Sequence, residues 1–394
     1  MKFPWHGLSP EGRRSLLCHA LYWQAMSMAF TFVNIYLFRL GGGYASPALY
    51  QIWTNALIPF GFLLGAALAR RRGSAAAYRA GLLLHELFLV IMLLLRERCM
   101  GYLPWVGALA GLAAGMYWQG WILMMVDQSD DANRDAMLGS QQWVYFVAGL
   151  SGAPLAGWFL SRFSDLEGYN YVFALSTLLF AAAWLISLPV RTKPMHGAGS
   201  FLRLLKARKP PGWGPMNLSA ALMGLMSVSA LFLAALIAYE SKGNETGTGS
   251  YTFVNAGLGF VAAWMMARVG KPSRRLRTLW IAAVAVAAIT LPLAFHRSFA
   301  VILLYGAGMA IALSFYNVPL LSTHLRFIDV SPRFKARRAD ALCFREFSIM
   351  FGRVAGFSFV LFMVGNADSK ALAGLFVAIA LAPLLNTYAI RRYV

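Results

Sequence analysis

The sequence predicts an all-α polytopic membrane protein with twelve transmembrane helices. Of its 394 residues, 59% are hydrophobic and 13% are charged, whereas soluble domains carry about 25% charged residues. A helix needs about 20 apolar residues to cross a hydrocarbon core about 30 Å thick. Runs of that length lie at approximately residues 16–40, 46–69, 78–96, 102–126, 139–161, 170–190, 214–239, 249–268, 278–295, 298–323, 340–364 and 371–390.

The basic residues predict the orientation of these helices. The net charge is +20, but Lys and Arg lie in short tracts between apolar runs, which is typical of topology signals and not of a nucleic-acid-binding surface. They are concentrated in the loops on the side of both termini, so we expect both termini to be cytoplasmic. The first run is too long for a signal-peptide core and is expected to remain as a membrane helix. The predicted location is a bacterial cytoplasmic (inner) membrane, with the lipid bilayer as a partner and no nucleic acid.

A basic stretch divides the chain into two halves of six predicted helices. Residues 191–213 carry several Lys and Arg side chains and no acid, and we interpret them as a cytoplasmic linker between domains at 1–190 and 214–394. The middle of the linker alternates Phe and Leu with basic residues. This pattern fits either a short amphipathic helix on the anionic membrane surface or a solvated linker.

The sequence contains no catalytic or metal-binding signature. Cys18, Cys99 and Cys343 are far apart and form no Cys-x-x-Cys or Cys/His pattern. A Gly-rich nucleotide loop, a His-Glu-x-x-His helix and a Gly-x-Ser-x-Gly elbow are also missing from the sequence. We therefore predict a protein that is not an enzyme and has no metal or other cofactor.

The end of the second helix carries a family resemblance. Leu68-Ala69, Arg71 and Gly73 resemble the loop motif G-x-L-A-D-R-x-G-R-R of the major facilitator superfamily. Arg70 stands where the family has Asp, and Ser74 stands where it has Arg. In the family that Asp helps to hold the two halves together in the outward-facing state, so this chain needs a different contact.

A second, degenerate copy of the motif closes the eighth helix, where Arg268 and Gly270 resemble the corresponding positions. Together with the topology and the linker, the resemblance implies two pseudo-symmetric six-helix bundles that rock about a central site for a small molecule. It also implies that the protein works as a monomer.

The fifth helix resembles a second motif of this superfamily. Gly149, Pro154 and Gly157 match G-x-x-x-G-P-x-x-G-G of proton-coupled exporters, with Ala153 and Trp158 replacing two of its glycines. Small residues allow close helix packing, and the proline bends the helix. The resemblance implies an antiporter that exports its substrate.

Candidate substrate contacts come from the helices that line the central cavity in the superfamily. The first helix carries a polar stripe, and the fourth and tenth helices carry matching aromatic, aromatic, amide triplets. The alternative is that these residues make interhelical hydrogen bonds and aromatic packing. The candidates are Gln24, Thr31 and Asn34 on the first helix, Tyr117, Trp118 and Gln119 on the fourth, and Tyr316 and Asn317 on the tenth.

Charged residues inside helices mark candidate sites of proton coupling. Arg345, Glu346 and Arg353 lie within the eleventh apolar run, where each charge at a helix centre costs about 2.5–3.5 kcal/mol. We hypothesise that Glu346 carries the coupling proton and that Arg353 or Arg345 tunes its affinity. The alternative is a permanent ion pair. For His85 and Glu86 in the third helix, a structural role is favoured.

The expected function is secondary active transport by alternating access, with proton-coupled export of a small organic or amphipathic compound. The proton gradient would supply the energy. The alternatives are a symporter that takes up a sugar-like nutrient, a lipid flippase, and a membrane interaction protein that transports nothing.

Overall fold

The computed structural model describes residues 9–128, 134–194, 201, 206, 209–228, 232–269, 272–330, 334, 337–364 and 369–394. Twelve helices, α1 to α12, account for most of these residues. The first comprises the segments Pro10–Ala25 and Thr31–Gly41, joined by the π-helical turn Met26–Phe30, and the seventh is described as two segments. The others are α2 Ala45–Arg72, α3 Ser74–Leu95, α4 Leu103–Gln128, α5 Arg134–Leu160, α6 Glu167–Ser187, α7 Trp213–Val228 with Ala234–Lys242, α8 Glu245–Val269, α9 Arg275–Thr290, α10 Phe299–Val330, α11 Arg338–Val364 and α12 Ser369–Ile390.

Local sequence explains several helix ends. Ser9 caps α1 by accepting a hydrogen bond from the Gly12 backbone at 3.0 Å, and Pro10 follows it in the first turn, where a missing N–H costs nothing. Gly42 and Gly243 end α1 and α7 with φ of +67° and +78°, a left-handed conformation that glycine adopts easily. The same ending at equivalent helices of the two halves is consistent with an internal repeat.

Most of the helices have the length and composition of membrane spans. Within the described residues, nine segments are long and apolar enough to cross a bilayer, and one of them, Ser74–Met125, contains both α3 and α4. The described segments of α7 and the whole of α8 are not among the nine. The first turns of α8 are rich in Gly, Ser and Thr, which lowers its hydropathy.

The helices form two six-helix bundles, α1–α6 and α7–α12. The most extensive packing inside the first bundle joins α2 with α4, and inside the second it joins α7 with α11 and α8 with α10. Between the bundles, α2 packs along α11 and α5 packs along α8. A twofold rotation that exchanges the bundles replaces α2 by α8 and α11 by α5, and so converts the first contact into the second. The all-α pseudo-symmetric fold predicted from sequence is confirmed.

The two ends of the molecule are called proximal and distal. The proximal end contains the start of α1 at Pro10 and the end of α12 at Ile390. The distal end contains Gly41 and the start of α8 at Glu245.

Little of the basic linker lies within the described residues. The core of the predicted amphipathic helix, 202–205, falls outside them, so that prediction stays open. Phe201 is described, and its ring lies 4.5 Å from Phe344 and 5.5 Å from Phe347 of α11. This part of the linker therefore packs on a helix of the second bundle. The division of the chain at residues 190 and 214 stays a prediction.

Candidate functional site

The charged residues of α11 face the interior of the protein. Phe351 and Phe362 are 66% and 75% exposed and mark the outer surface of this helix. At about 100° per residue, Glu346 lies about 140° around the helix from Phe351, and Arg353 lies about 160° from it. Both side chains are therefore directed away from lipid.

Arg345 and Glu346 form an ion pair inside the membrane-spanning part of α11. The Arg345 Nη1 lies 3.0 Å from the Glu346 Oε1, and the two side chains are 16% and 12% exposed. Losing one partner of such a pair leaves an uncompensated charge in a poorly solvated place, which is costly. The state of charge of Glu346 is therefore linked to the position of Arg345.

Arg353 is bonded to a different helix. Its Nε donates to the Ser227 Oγ of α7 at 3.2 Å. The two helices approach closely here, because a Cβ on Gly224 would lie 2.9 Å from the Arg353 backbone nitrogen. Arg353 is thus bonded to Ser227 and Glu346 to Arg345.

A hydrogen-bonded network surrounds the ion pair. Ser219 of α7 and the His324 Nε2 of α10 are 2.8 Å apart, and both side chains are buried. Asn217 accepts a hydrogen bond from Ser348 at 2.8 Å. These bonds join α7 to α10 and α11.

Sequence reasoning missed His324, because the tenth apolar run was predicted to end at residue 323. The helix in fact continues to Val330. The apolar spacing of Leu320, Phe327 and Ile328 was the signal that could have extended it.

A pocket opens beside this network at the proximal end of the second bundle. Most of its lining is apolar or aromatic, and its polar side chains come from α7, α10 and α11. The lining residues are Trp213, Met216, Asn217, Ala220, His324, Phe327, Ile328, Ala341, Phe344 and Arg345.

The polar stripe of α1 contacts neighbouring helices of its own bundle. Gln24 accepts a hydrogen bond from Ser151 of α5 at 2.9 Å, and Asn34 accepts one from Gln51 of α2 at 2.9 Å. Thr31 is half-buried. These bonds join α1 to α5 and α2.

A histidine that sequence reasoning missed organises the aromatic residues near Tyr117 and Trp118. The His19 Nε2 accepts from the Trp23 indole at 3.1 Å, so its proton sits on Nδ1, which lies 2.5 Å from the Tyr117 hydroxyl. The ring is fully buried and stacks on Trp121 with centroids 3.6 Å apart. With both nitrogens bonded, His19 is held as a neutral ring. Trp118 meets it edge-on at 6.3 Å.

The remaining triplet residues lie on different surfaces. Gln119 is fully buried, and a Cβ on Gly65 of α2 would lie 3.0 Å from its side chain. Tyr316 donates to the Pro383 carbonyl of α12 at 3.1 Å, whereas Asn317 is exposed. The structure does not bring these three side chains together.

The resemblance motif of α2 lies at a contact between the bundles. The Arg70 Nη1 is 3.2 Å from the Asp340 Oδ1 at the start of α11, with side chains 28% and 2% exposed. Arg71 is exposed, and Gly73, with φ of +88°, lies so close to Thr192 that a Cβ would overlap it. Arg70 thus meets an acid on the other bundle, with the charges reversed from the family pattern. In the second copy, the Arg268 side chain and Gly270 lie outside the described residues.

A second contact between the bundles closes the distal end. The Arg39 Nη1 of α1 lies 2.8 Å from the Glu245 Oε1 of α8, and the Glu245 side chain is 4% exposed. Tyr169 of α6 donates to the same oxygen at 2.8 Å. Nearby, Tyr44 donates to Glu240 of α7 at 2.5 Å. Burial, reinforced by the Glu240 charge, raises the pKa of Tyr44 above its usual value, which keeps it a neutral donor.

The glycines of the α5 motif lie against α8. A Cβ on Gly149 would lie 2.7 Å from the Ala256 Cβ, and one on Gly157 would lie 2.7 Å from the Glu245 carbonyl oxygen. Pro154 faces Gly249 of α8, where a Cβ would lie 3.2 Å from the proline Cα. This packing sets the separation of the bundles beneath the distal contact.

The candidate histidine of α3 makes a contact within its own helix. His85 is buried, and its Nδ1 lies 2.8 Å from the Gly81 carbonyl of its own helix. Among the described residues, no group of three or more His, Cys, Asp or Glu side chains is placed to hold a metal ion.

The fold resembles that of a solved bacterial protein. A chain described as "Structure of a bacterial metal transporter" superposes with a TM-score of 0.66, covering 98% of this chain and 99% of that one at 14% identity. At this identity the likeness concerns the fold alone.

Sequence relatives occur in bacteria. The uncharacterized protein YqgE of Bacillus subtilis is 25% identical over 362 residues, which is 92% of this chain and 84% of that protein. An uncharacterized protein in the sodM 3' region of Geobacillus stearothermophilus is 31% identical over 159 residues, covering 40% of this chain and 74% of its own length. The family model for the Major Facilitator Superfamily matches residues 87–357, about two thirds of the sequence. The chain therefore belongs to the Major Facilitator Superfamily, a family of multi-pass membrane transporters and not of enzymes.

Proposed function

We propose that this protein is a proton-coupled secondary transporter that exports a small organic or amphipathic compound by alternating access. The observation that carries the proposal is the ion pair between Arg345 and Glu346, 3.0 Å long and largely buried within α11. Ionisable groups at this depth are costly, and an acid that can lose its charge is suited to carry a proton.

The proposed coupling follows from the bonds of α11. Protonation of Glu346 removes the charge that holds Arg345 Nη1, so the arginine is free to take another acceptor. The same helix is bonded to α7 through Arg353 and Ser227 and to α2 through Asp340 and Arg70. A change at Glu346 can therefore be transmitted to the contact between the bundles.

Substrate binding is assigned to the space between the bundles, as alternating access requires. Trp23 and Trp118 are half-buried and offer aromatic surfaces that suit an apolar substrate body. Gln24, Thr31, Asn34, Tyr117, Gln119, Tyr316 and Asn317 remain proposed contacts. The α5 motif supports the outward direction of transport.

We further propose that the proximal end faces the cytoplasm. Arg70, Arg71 and Arg72 lie at this end, and so do Arg391 and Arg392, which follow α12, in agreement with the positive-inside rule. The protein would lie in the cytoplasmic membrane as a monomer, with both termini inside the cell and the linker joining domains at 1–190 and 214–394.

The test is proton flux in proteoliposomes that contain the purified protein and a pH-sensitive dye. A panel of drugs, siderophores, sugars and lipids is added in turn. We expect one class of compound to trigger proton movement in the wild type, and Glu346→Gln to abolish that movement. Glu86→Gln, which changes a glutamate of α3, is the matched control and should behave as the wild type.

Size-exclusion profiles would first establish that both variants fold. If Glu346→Gln keeps substrate-triggered proton movement, Glu346 is not the proton carrier. If a compound is transported by the wild type without proton movement, the proposal of proton coupling fails, and a facilitator or a flippase takes its place.

A further inference from the structure

The pocket at the proximal end of the second bundle is placed to hold a resident ligand. All ten residues that line it come from α7, α10 and α11, so it lies inside one bundle. Cargo that is exposed alternately to the two sides binds between the bundles. A ligand in this pocket would instead move together with the second bundle, and the inference therefore goes beyond the proposed transport site.

The wall of the pocket suits a hydrocarbon group. Met216, Ala220, Ile328 and Ala341 contribute aliphatic surface. The rings of Trp213 and Phe344 meet edge-to-face at 5.3 Å and form an aromatic corner. Such a surface gains free energy when an alkyl chain displaces water from it, about 0.8 kcal/mol for each buried CH₂.

The polar groups of the pocket include a guanidinium and no carboxylate. Arg345 contributes a guanidinium whose Nη1 is bonded to Glu346, while its Nε is buried without a hydrogen-bond partner among the described residues. A guanidinium has five N–H donors, so a second oxygen ligand can bind without displacing Glu346. None of the ten lining residues is an acid.

A second cation lies close to the aromatic corner. The Lys209 Nζ is 4.9 Å from the ring centre of Phe344 and 5.2 Å from that of Trp213. It adds positive charge beside the two rings, at the end of the linker. The His324 Nε2 is hydrogen-bonded to Ser219, so the His324 side chain forms part of the pocket wall and is not counted as a charge.

The pocket lies at the proximal ends of its three helices. Trp213 begins α7 at the proximal end, and tryptophan next to basic residues is typical of the membrane interface. If the proximal end is cytoplasmic, it borders the leaflet rich in anionic lipids, and basic pockets between helices on that side bind their head groups.

We propose that this pocket binds an amphipathic anion, whose phosphate or carboxylate reaches the Arg345 Nε and whose hydrocarbon part packs against Trp213, Phe327 and Phe344. Two sources share this chemistry: a bilayer lipid with an anionic head group, and a free amphipathic acid. In either case the bound molecule joins α7, α10 and α11 at the proximal end.

The experiment measures binding to the full-length protein in a nonionic detergent by native mass spectrometry and by the shift in melting temperature. Three probes are titrated: dioctanoyl phosphatidylglycerol, dioctanoyl phosphatidylcholine with the same chains, and decanoate. We expect the phosphatidylglycerol to bind at least about tenfold more tightly than the phosphatidylcholine. Decanoate should compete with it.

Variants connect the binding to this pocket. The double variant Arg345→Gln/Glu346→Gln removes the guanidinium without leaving an unpaired carboxylate. In this variant the ratio of the affinities for phosphatidylglycerol and phosphatidylcholine should fall to near one. Ala220→Leu fills the pocket while leaving its charges in place, and it should weaken the binding of all three probes. Arg391→Gln removes an arginine at the same end, outside the pocket, and should change nothing.

Each outcome decides the proposal. Selectivity for phosphatidylglycerol that is lost in the double variant identifies a lipid head group as the source, and tight binding of decanoate alone identifies a free acid. Equal binding of the anionic and zwitterionic lipids without decanoate binding overturns the proposal. So does selectivity that survives both the double variant and Ala220→Leu.

Discussion

The two ends of this transporter are held together by ion pairs of different quality. At the distal end, Glu245 receives Arg39 and Tyr169, each at 2.8 Å, and its side chain is 4% exposed. At the proximal end, Arg70 reaches Asp340 at 3.2 Å. Burial is similar in the two pairs, since the arginines are 22% and 28% exposed and the acids 4% and 2%. The distal end therefore has the shorter bonds and the larger network.

The difference indicates which end opens more readily. Because the two pairs are about equally buried, the difference between the ends comes from the shorter Arg39 to Glu245 contact and from the additional hydrogen bond that Tyr169 donates to Glu245. The proximal end is supplemented by apolar packing of Phe62 and Ala66 against Cys343. We expect the structure to lie close to a state that opens toward the proximal end.

Removing Glu245 should have the largest effect. Glu245→Ala removes the carboxylate shared by Arg39 and the buried Tyr169 hydroxyl, while Arg39 keeps the Ser164 carbonyl of its own bundle at 3.0 Å. We therefore expect a loss of about 2–3 kcal/mol from the closed distal state. Spin labels at Ser161 and Ser241, exposed on opposite bundles at this end, would report it. Their distance distribution should move to longer values.

A proximal label pair supplies the control. Labels at Arg72 and Arg392, also exposed on opposite bundles, should show no lengthening in Glu245→Ala. If both label pairs lengthen equally, the variant has loosened the whole fold, and the distal contact is not a separate latch.

Sequence reasoning reached the fold because the signals were long and repeated. Twelve apolar runs and an acid-free linker are global patterns, and small errors at helix ends did not change the topology. Contacts between side chains of distant helices were harder to predict. The partner of Arg70 could not be predicted without knowing where α11 begins relative to α2. Arg39 and Glu245 are far apart in the sequence, so no local pattern indicated that they pair.

The candidate site was predicted only in part, because the sequence reveals charges in apolar runs but not contacts between distant helices. Arg345 and Glu346 were conspicuous as charges in an apolar run, whereas His324 fell one residue beyond the predicted end of its helix. His19 lies in the first helix, where only the polar stripe was considered. Its contacts are with Tyr117 and Trp121, about one hundred residues away, so the local sequence did not indicate them.

Reversing one charge at the proximal end should have an intermediate effect. Arg70→Asp places two carboxylates opposite each other between the bundles. We expect this to destabilise the closed proximal state by about 1–2 kcal/mol, a figure already discounted for the exposure of Arg70. The Arg72 and Arg392 labels should move apart. The double variant Arg70→Asp/Asp340→Arg restores the attraction with the acid on α2.

The double variant makes this prediction specific. If charge attraction holds the proximal end, the swapped pair should return the label distances toward the wild type, and the distal labels should remain unchanged throughout. A double variant as open as Arg70→Asp would show that packing of α2 on α11, and not the ion pair, closes this end.

The smallest effects should come from the two distal tyrosines, and they compare two bonds at one end of the molecule. Tyr169→Phe removes a buried hydrogen bond to Glu245, and Tyr44→Phe removes one to Glu240. Each acid remains hydrated or paired when its tyrosine is changed, Glu245 through its ion pair with Arg39, so we expect losses of only about 0.5–1 kcal/mol. The buried Glu245 has less access to replacement water than Glu240. We therefore expect Tyr169→Phe to lengthen the Ser161 to Ser241 distance more than Tyr44→Phe does. The opposite order would mean that the outer contact between α2 and α7, and not the Glu245 network, limits opening at the distal end.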